Sequence, residues 1–126
     1  MNVLRMKCLW YVLLLGLVTG LGCNRSSPPP TPLTLEELPA VMGKAFSSAK
    51  PEVKELASQI LAAVQAKDYS KAFMGLQNLL GKSGLSKEQL TAASRASLTV
   101  SDLLQAAQSQ GDAKAAQTIK YHLENK

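Results

Sequence analysis

The sequence predicts an all-α fold, a small domain of about five helices that spans residues 33–126. From Leu33 onward, apolar residues recur three and four positions apart, which is the spacing of one helix face. No segment shows the two-residue alternation of a half-buried strand. Glycine, proline and helix-capping residues separate the apolar stripes. We therefore expect either a small antiparallel helical bundle or stacked helical hairpins.

The first two predicted helices are marked at their starts. Thr34-Leu-Glu-Glu37 has the pattern of a capping box, but Pro39 follows so closely that it should delay or kink the helix, which ends near Ser48. Pro51 suits the first position of the second helix. The apolar stripe of this second helix comprises Val53, Leu56, Ala57, Ile60, Leu61 and Val64.

Three more helices follow, each behind a predicted cap. Asp68 precedes the third, whose end Gly81 and Gly84 mark. Ser86-Lys-Glu-Gln89 forms another capping box, with Leu85 and Leu90 placed for a hydrophobic staple. Asp112 caps the last helix. The predicted core positions are Ala72, Phe73, Leu76, Leu79 and Leu80, then Leu90, Ala93, Ser97, Val100, Leu104 and Ala107, then Ala116, Ile119 and Leu123.

A faint internal repeat relates the second and third helices to the fourth and fifth at an offset of 44 residues. It superposes Leu56 on Val100, Ile60 on Leu104, Ala63 on Ala107, Asp68 on Asp112, Ala72 on Ala116 and Leu79 on Leu123. The two turns, Lys67-Asp-Tyr-Ser-Lys-Ala72 and Gly111-Asp-Ala-Lys-Ala-Ala116, resemble those of tetratricopeptide-type helical hairpins. The early aromatic, the Leu-Gly pair and the family's repeat length of about 34 residues are missing. A plain bundle therefore remains open beside stacked hairpins.

The first 22 residues have the three parts of an export signal. Two positive charges lie in residues 1–7, an apolar run spans residues 8–18, and small residues fill most of positions 19–22. Cys23 directly follows Gly22 and resembles the lipobox cysteine of bacterial lipoproteins. The resemblance implies that Cys23 is acylated and becomes the mature N-terminus. Asn24 stands where an aspartate would favour the inner membrane, which implies the periplasmic side of the outer membrane if the bacterium has two membranes.

Two alternatives to this anchor stay open. Gly20 stands where the lipobox usually has leucine, and Gly20-Leu-Gly22 also fits ordinary signal cleavage, which would give a freely secreted protein. An uncleaved membrane helix is the other alternative, although its apolar part is shorter than the ~20 residues that a bilayer crossing needs. Cys8 would leave with a cleaved signal, so Cys23 would have no partner for a disulfide.

Residues 23–32 are predicted to be the anchor cysteine and a tether. The stretch Asn24–Pro32 is polar and proline-rich, so it favours an extended spacer on the order of 28 Å long. A Pro-x-x-Pro ligand is the alternative for this stretch. The sequence thus divides into a signal at 1–22, a tether at 23–32 and a helical domain at 33–126.

Composition and motifs argue against catalysis and nucleic-acid binding. The net charge is +5, but Arg5 and Lys7 lie in the signal and the other basic residues are scattered singly. His122 is the only histidine, and the sequence has neither a phosphate-binding loop nor a metal-ligand motif. The acidic residues Glu36, Glu37, Glu52 and Glu55 sit near expected helix starts, where they complement the helix dipole. We predict no catalytic, cofactor or metal residues, and no small-molecule substrate.

The predicted function is therefore a non-enzymatic, lipid-anchored interaction module of the cell envelope. Its partners would be the membrane, through Cys23, and another envelope protein or peptide, through apolar helix faces. A structural spacer joined to peptidoglycan is the alternative, because some lipoproteins are attached through a C-terminal lysine and this chain ends in Lys126. A small secreted hydrolase would need a surface pocket with convergent titratable groups, which the residues do not supply.

Overall fold

Five helices make up 73% of residues 28–126, the part of the chain that this computed structural model describes. They are α1 (Glu37–Phe46), α2 (Pro51–Gln65), α3 (Tyr69–Leu80), α4 (Lys87–Ser109) and α5 (Ala113–Glu124). No strand occurs between residues 28 and 126. The predicted all-α class and the number of helices are confirmed. The predicted signal and Cys23 lie outside the described residues.

Helices α1 to α4 form a ring of packed neighbours. The packed pairs are α1 with α2, α2 with α3, α3 with α4, and α4 with α1, whereas the diagonal pairs share no comparable interface. Short loops at residues 47–50, 66–68 and 81–86 join consecutive helices, so neighbours run antiparallel. Helix α5 lies outside the ring against α4 and α3. This is the packing of a bundle, in which α1 separates α2 from α4.

The caps form as the sequence predicts. The backbone N–H of Thr34 donates to Glu37 Oε2 at 3.0 Å, and the N–H of Glu37 donates to Thr34 Oγ1 at 3.2 Å. Pro39 has no N–H, and the regular helix begins only at Glu37. Ser86 and Gln89 make the second reciprocal box, at 3.0 and 3.1 Å. Each box satisfies backbone donors that a helix start leaves unpaired.

The two turns that the repeat superposes have the same hydrogen-bond pattern. After α2, the N–H of Asp68 donates to the Ala63 carbonyl at 2.9 Å, and Lys67 has a left-handed φ of +58°. After α4, the N–H of Asp112 donates to the Ala107 carbonyl at 3.0 Å, and Gly111 has a φ of +92°. Both are Schellman turns. In each, the same aspartate then caps the next helix.

A salt bridge joins these two turns in space. Lys114 Nζ lies 3.0 Å from both carboxylate oxygens of Asp68. The Lys71 N–H and then the Lys114 ammonium hold the pKa of the Asp68 carboxyl below its usual value. A lowered pKa stabilises the fold above the unfolded-state value of about 4, and this contribution is lost as the pH falls through the folded-state pKa. The pair is exposed, so its contribution is small.

The core confirms most of the predicted positions and corrects others on α4 and α5. Ala93, Val100 and Leu104 are buried as predicted, but Leu90 is exposed and Ser97 is only half-buried. On α5 the buried alanine is Ala115, because α5 turns that residue, and not Ala116, toward the bundle. The buried positions of α4 that the stripe missed are Ala92, Ala96 and Thr99. Their small side chains let neighbouring helices approach closely.

Gly75 shows how closely α2 and α3 pack. A Cβ atom built on Gly75 would lie 2.7 Å from Ile60 Cγ1, which is closer than two carbon atoms can come without displacement. Ile60 is itself buried and branched at Cβ, so it has little freedom to move. The absence of a side chain at Gly75 is therefore a packing requirement.

We expect Gly75→Ala to destabilise the protein relative to Gly43→Ala. Overpacking against Ile60 costs about 1–3 kcal/mol, and the better helix propensity of alanine offsets about 1 kcal/mol of it. Gly43 lies on the exposed face of α1 with nothing within 4 Å of its would-be Cβ, so the matched variant gains about 0.5–1 kcal/mol. Denaturant unfolding measures both. Equal stabilisation by the two substitutions would contradict the close approach.

Candidate functional site: an apolar groove and a docked segment

A groove of about 470 Å³ lies where α3, α4 and α5 meet. We call it the apolar groove after its five apolar lining residues; the other seven are polar or ionisable. It is lined by Phe73 and Gln77 from α3, by Ser97, Leu98, Ser101, Leu104, Gln105 and Gln108 from α4, and by Ile119, His122, Leu123 and Lys126 from α5 and the residues after it. Its lining mixes hydrocarbon side chains with neutral amide and hydroxyl groups. Such a surface suits an apolar ligand that also needs a few hydrogen bonds.

Large apolar side chains stand open to solvent at this groove. Leu98 is 39% exposed and Leu123 is 66% exposed, and Tyr121 on the neighbouring turn of α5 is 57% exposed. The internal repeat shows why Leu123 has the character of a core residue, because its counterpart Leu79 is fully buried inside the ring. No described helix covers α5 in the way that α4 covers α3. The predicted core position Leu123 is therefore a surface position here.

His122 forms part of the groove wall. Its ring packs edge-on against Phe73, with the ring centroids 5.0 Å apart and the planes at 87°. Such an aromatic contact contributes about 0.5–1.5 kcal/mol and fixes the orientation of the ring. Among residues 28–126, no three His, Cys, Asp or Glu side chains come together in a way that could hold a metal ion. The geometry gives His122 a packing role beside the groove.

The ionisable side chains in the groove lining are His122 and Lys126. No Asp or Glu side chain belongs to the lining, although nine acidic residues occur in the sequence. The groove thus combines open hydrocarbon with a positive charge at one end. The sequence singled out both residues, but for other reasons, because helix periodicity alone does not show that α5 brings them to Leu98.

A second feature is the docked segment, residues 31–33, which lies along α4. The N–H of Leu33 donates to Thr99 Oγ1 at 2.8 Å, and the Thr99 hydroxyl donates back to the Leu33 carbonyl at 2.7 Å. Thr99 is only 7% exposed and Leu33 only 4%. One hydroxyl thereby satisfies both backbone groups of a buried residue that belongs to no helix.

Arg95 extends this docking by one turn of α4. Its Nε donates to the Thr31 carbonyl at 2.9 Å. The predicted boundary between tether and domain at residues 32 and 33 therefore lies inside a segment that is bonded to α4. Neither Thr99 nor Arg95 was predicted, because a threonine in a helix and a single arginine carry no pattern that indicates a distant backbone partner.

Two other grooves lie elsewhere on the bundle of residues 28–126. One, of about 580 Å³, runs between α1 and α4 and includes Lys44, Lys87, Glu88 and Arg95 in its lining. The other, of about 400 Å³, lies between α2 and α3 beside the half-exposed Met74. The apolar groove differs from both because it joins three helices and exposes two leucines in its walls.

Comparison with known proteins finds no relative: no protein-family model, no curated protein and no solved structure matches this chain. Among the helices of residues 28–126, none has both the length and the apolar character that a membrane crossing requires.

We expect Thr99→Val to undock residues 31–33. Valine keeps the shape of threonine but leaves the Leu33 N–H and carbonyl without partners, which costs about 2–3 kcal/mol of unfolding free energy. Thr91→Val is the matched control, since Thr91 lies on the same helix and its exposed hydroxyl bonds only to the Lys87 carbonyl one turn back. That variant should stay within about 0.5 kcal/mol of wild type. Equal unfolding midpoints for the two variants would contradict the role of Thr99.

Proposed function

We propose that this protein is a lipid-anchored, non-enzymatic interaction domain of the bacterial cell envelope. In this proposal Cys23 carries the acyl chains, and the apolar groove binds an apolar peptide segment of another envelope protein. The observation that carries the proposal is the groove itself, where Leu98 and Leu123 remain open to solvent beside neutral amide and hydroxyl groups.

The groove lining supports a peptide as the occupant. Leucine and isoleucine side chains provide the apolar contact from which helix and peptide recognition in grooves takes its affinity. Gln77, Gln105 and Gln108 each offer one acceptor and two donor hydrogens, which match the N–H and carbonyl groups of a peptide backbone. The Lys126 side chain, in a lining without Asp or Glu side chains, favours a segment that carries an acidic side chain.

The character of the lining also supports binding over catalysis. Nucleophilic catalysis needs a nucleophile held against a base, and the base oriented by a third group. In the groove, His122 instead packs edge-on against the hydrocarbon ring of Phe73. The Ser97 and Ser101 hydroxyls line the groove without an Asp or Glu side chain beside them in the lining.

The anchor follows from the lipobox-like sequence at Cys23 and gives the groove a place to work. Seven residues separate Cys23 from Thr31, and the eight residue-to-residue steps between them span at most about 28 Å. An acyl anchor would therefore confine the domain to a thin layer above the lipid. Confinement raises the effective concentration of a partner in the same layer, so a low affinity of the groove for that partner would suffice.

We expect a photo-crosslinking residue at Leu98 or Leu123 to capture a partner in intact cells. The same residue at Met74 is the matched control, since Met74 is equally open but lies in the groove between α2 and α3. The adduct should appear at Leu98 and Leu123. With the crosslinking residue at position 123, the additional substitution Leu98→Gln should weaken the adduct. Adducts of equal intensity at Met74, or none at any position, would contradict the peptide groove.

The intact mass of the mature protein tests the anchor. Cleavage before Cys23 and acylation should add the mass of the acyl groups to residues 23–126, and Cys23→Ser should abolish both the added mass and any membrane retention that survives a high-salt wash. A wild-type mass equal to the bare chain would overturn the anchor. Protein that stays with purified peptidoglycan after boiling in detergent would favour the spacer alternative instead.

A further inference from the structure

We propose that one end of the bundle binds the surface of a membrane rich in anionic phospholipid. This end comprises the loops 47–50 and 81–86 with the adjoining helix turns, residues 43–54 and 77–90, and we call it the basic end. The inference rests on the proposed lipid anchor, and it adds an orientation and a second, electrostatic contact that the anchor alone does not provide.

The topology places these two loops at the same end. Helices α1 to α4 alternate in direction around the ring, so the α1–α2 and α3–α4 connections emerge together. The groove between α1 and α4 agrees with this arrangement, because Lys44 and Ala45 near the end of α1 face Lys87 and Thr91 at the start of α4.

The net positive charge of the described residues is concentrated at this end. Residues 43–54 and 77–90 contain five lysines, namely Lys44, Lys50, Lys54, Lys82 and Lys87, and two glutamates, Glu52 and Glu88. The rest of residues 28–126 carries six basic and seven acidic side chains, so it is close to neutral. A small domain with its charge gathered at one end has a preferred orientation above a charged surface.

The lysines of the basic end are free to meet an external anion. The salt bridges among residues 28–126 are Lys114 with Asp68 and Lys120 with Glu124, and both lie outside the basic end. Lys44, Lys50, Lys54, Lys82 and Lys87 are all exposed. The two glutamates lie in the first turns of α2 and α4, where the helix dipole favours them, and neither forms a salt bridge with these lysines.

The docked segment shows in which direction residues 31–33 run along α4. Thr31 bonds to Arg95 and Leu33 bonds to Thr99, so the chain advances along α4 in the direction of the helix. Two extended residues cover about 6.5 Å, and four helical residues cover about 6 Å, so both bonds can form with the segment running along α4. Traced backward, the chain leads toward the N-terminal end of α4, where Lys87 and the basic end lie.

Charge and direction therefore favour one occupant for the basic end, a surface of anionic lipid headgroups. Each lysine near such a surface strengthens the attraction about fivefold, and the effect falls off within a Debye length. The same arrangement directs the apolar groove outward. Its α4 residues, 97–108, begin ten positions beyond Lys87, which is about 15 Å farther along the helix axis.

Lysine footprinting of the acylated protein tests the orientation. The protein is placed in phosphatidylcholine vesicles with or without about 30% phosphatidylglycerol, and a membrane-impermeant reagent briefly acetylates exposed amines. We expect acetylation of Lys82 and Lys87 to fall about fivefold or more when phosphatidylglycerol is present. Lys67, at the opposite end, and Lys120, on α5, are the internal controls and should keep their rates. Equal ratios at all four lysines would overturn the proposal.

A second measurement separates this proposal from the acyl anchor. Unacylated Cys23→Ser protein should float with phosphatidylglycerol vesicles at low salt, and Lys82→Glu with Lys87→Glu should reduce flotation at least tenfold. The matched control, Lys67→Glu with Lys120→Glu, should float as the parent does. If the wild type is not acylated but the Cys23→Ser protein floats, the lipid anchor is contradicted and the basic end is supported. If the wild type is acylated but its lysines are not protected and the Cys23→Ser protein does not float, the anchor is supported and the basic end is contradicted.

Discussion

The buried pairing of Thr99 with Leu33 is the interaction on which the arrangement of this molecule depends. A backbone segment outside any helix has no partners of its own, so it remains buried only where a side chain satisfies its N–H and carbonyl. Thr99 supplies both partners from the middle of α4. Because α4 also packs on α1, α3 and α5, the same helix that organises the bundle determines how the preceding chain approaches it.

Small residues make this role of α4 possible. Ala92, Ala93 and Ala96 are buried and have small side chains. The helices on either side can therefore come close enough to shield the Thr99 hydroxyl from water. Gly75 has the same effect between α3 and α2. The large side chains of the core, among them Phe46, Met42 and Leu76, fill the space that remains inside the ring.

Local chemistry could be predicted from the sequence, and distant pairing could not. The caps at Ser86, Asp68 and Asp112 were predicted because each depends on residues within three positions. The repeated turns were visible for the same reason. The docking of Leu33 on Thr99 joins residues 66 positions apart, and the apolar groove forms only when α5 lies across α3 and α4. Such contacts leave no periodicity in the chain.

In the two proposals together, the basic end of the domain faces the lipid and the apolar groove faces away from it. The orientation of the domain above the lipid depends on residues 31–33 lying fixed along α4, since a loose connection would let the bundle turn freely. Native-state hydrogen exchange at the Leu33 amide measures this most directly. We predict protection comparable to that of the buried amides of α4. Exchange at the rate of an unprotected amide, with α4 itself still protected, would contradict it.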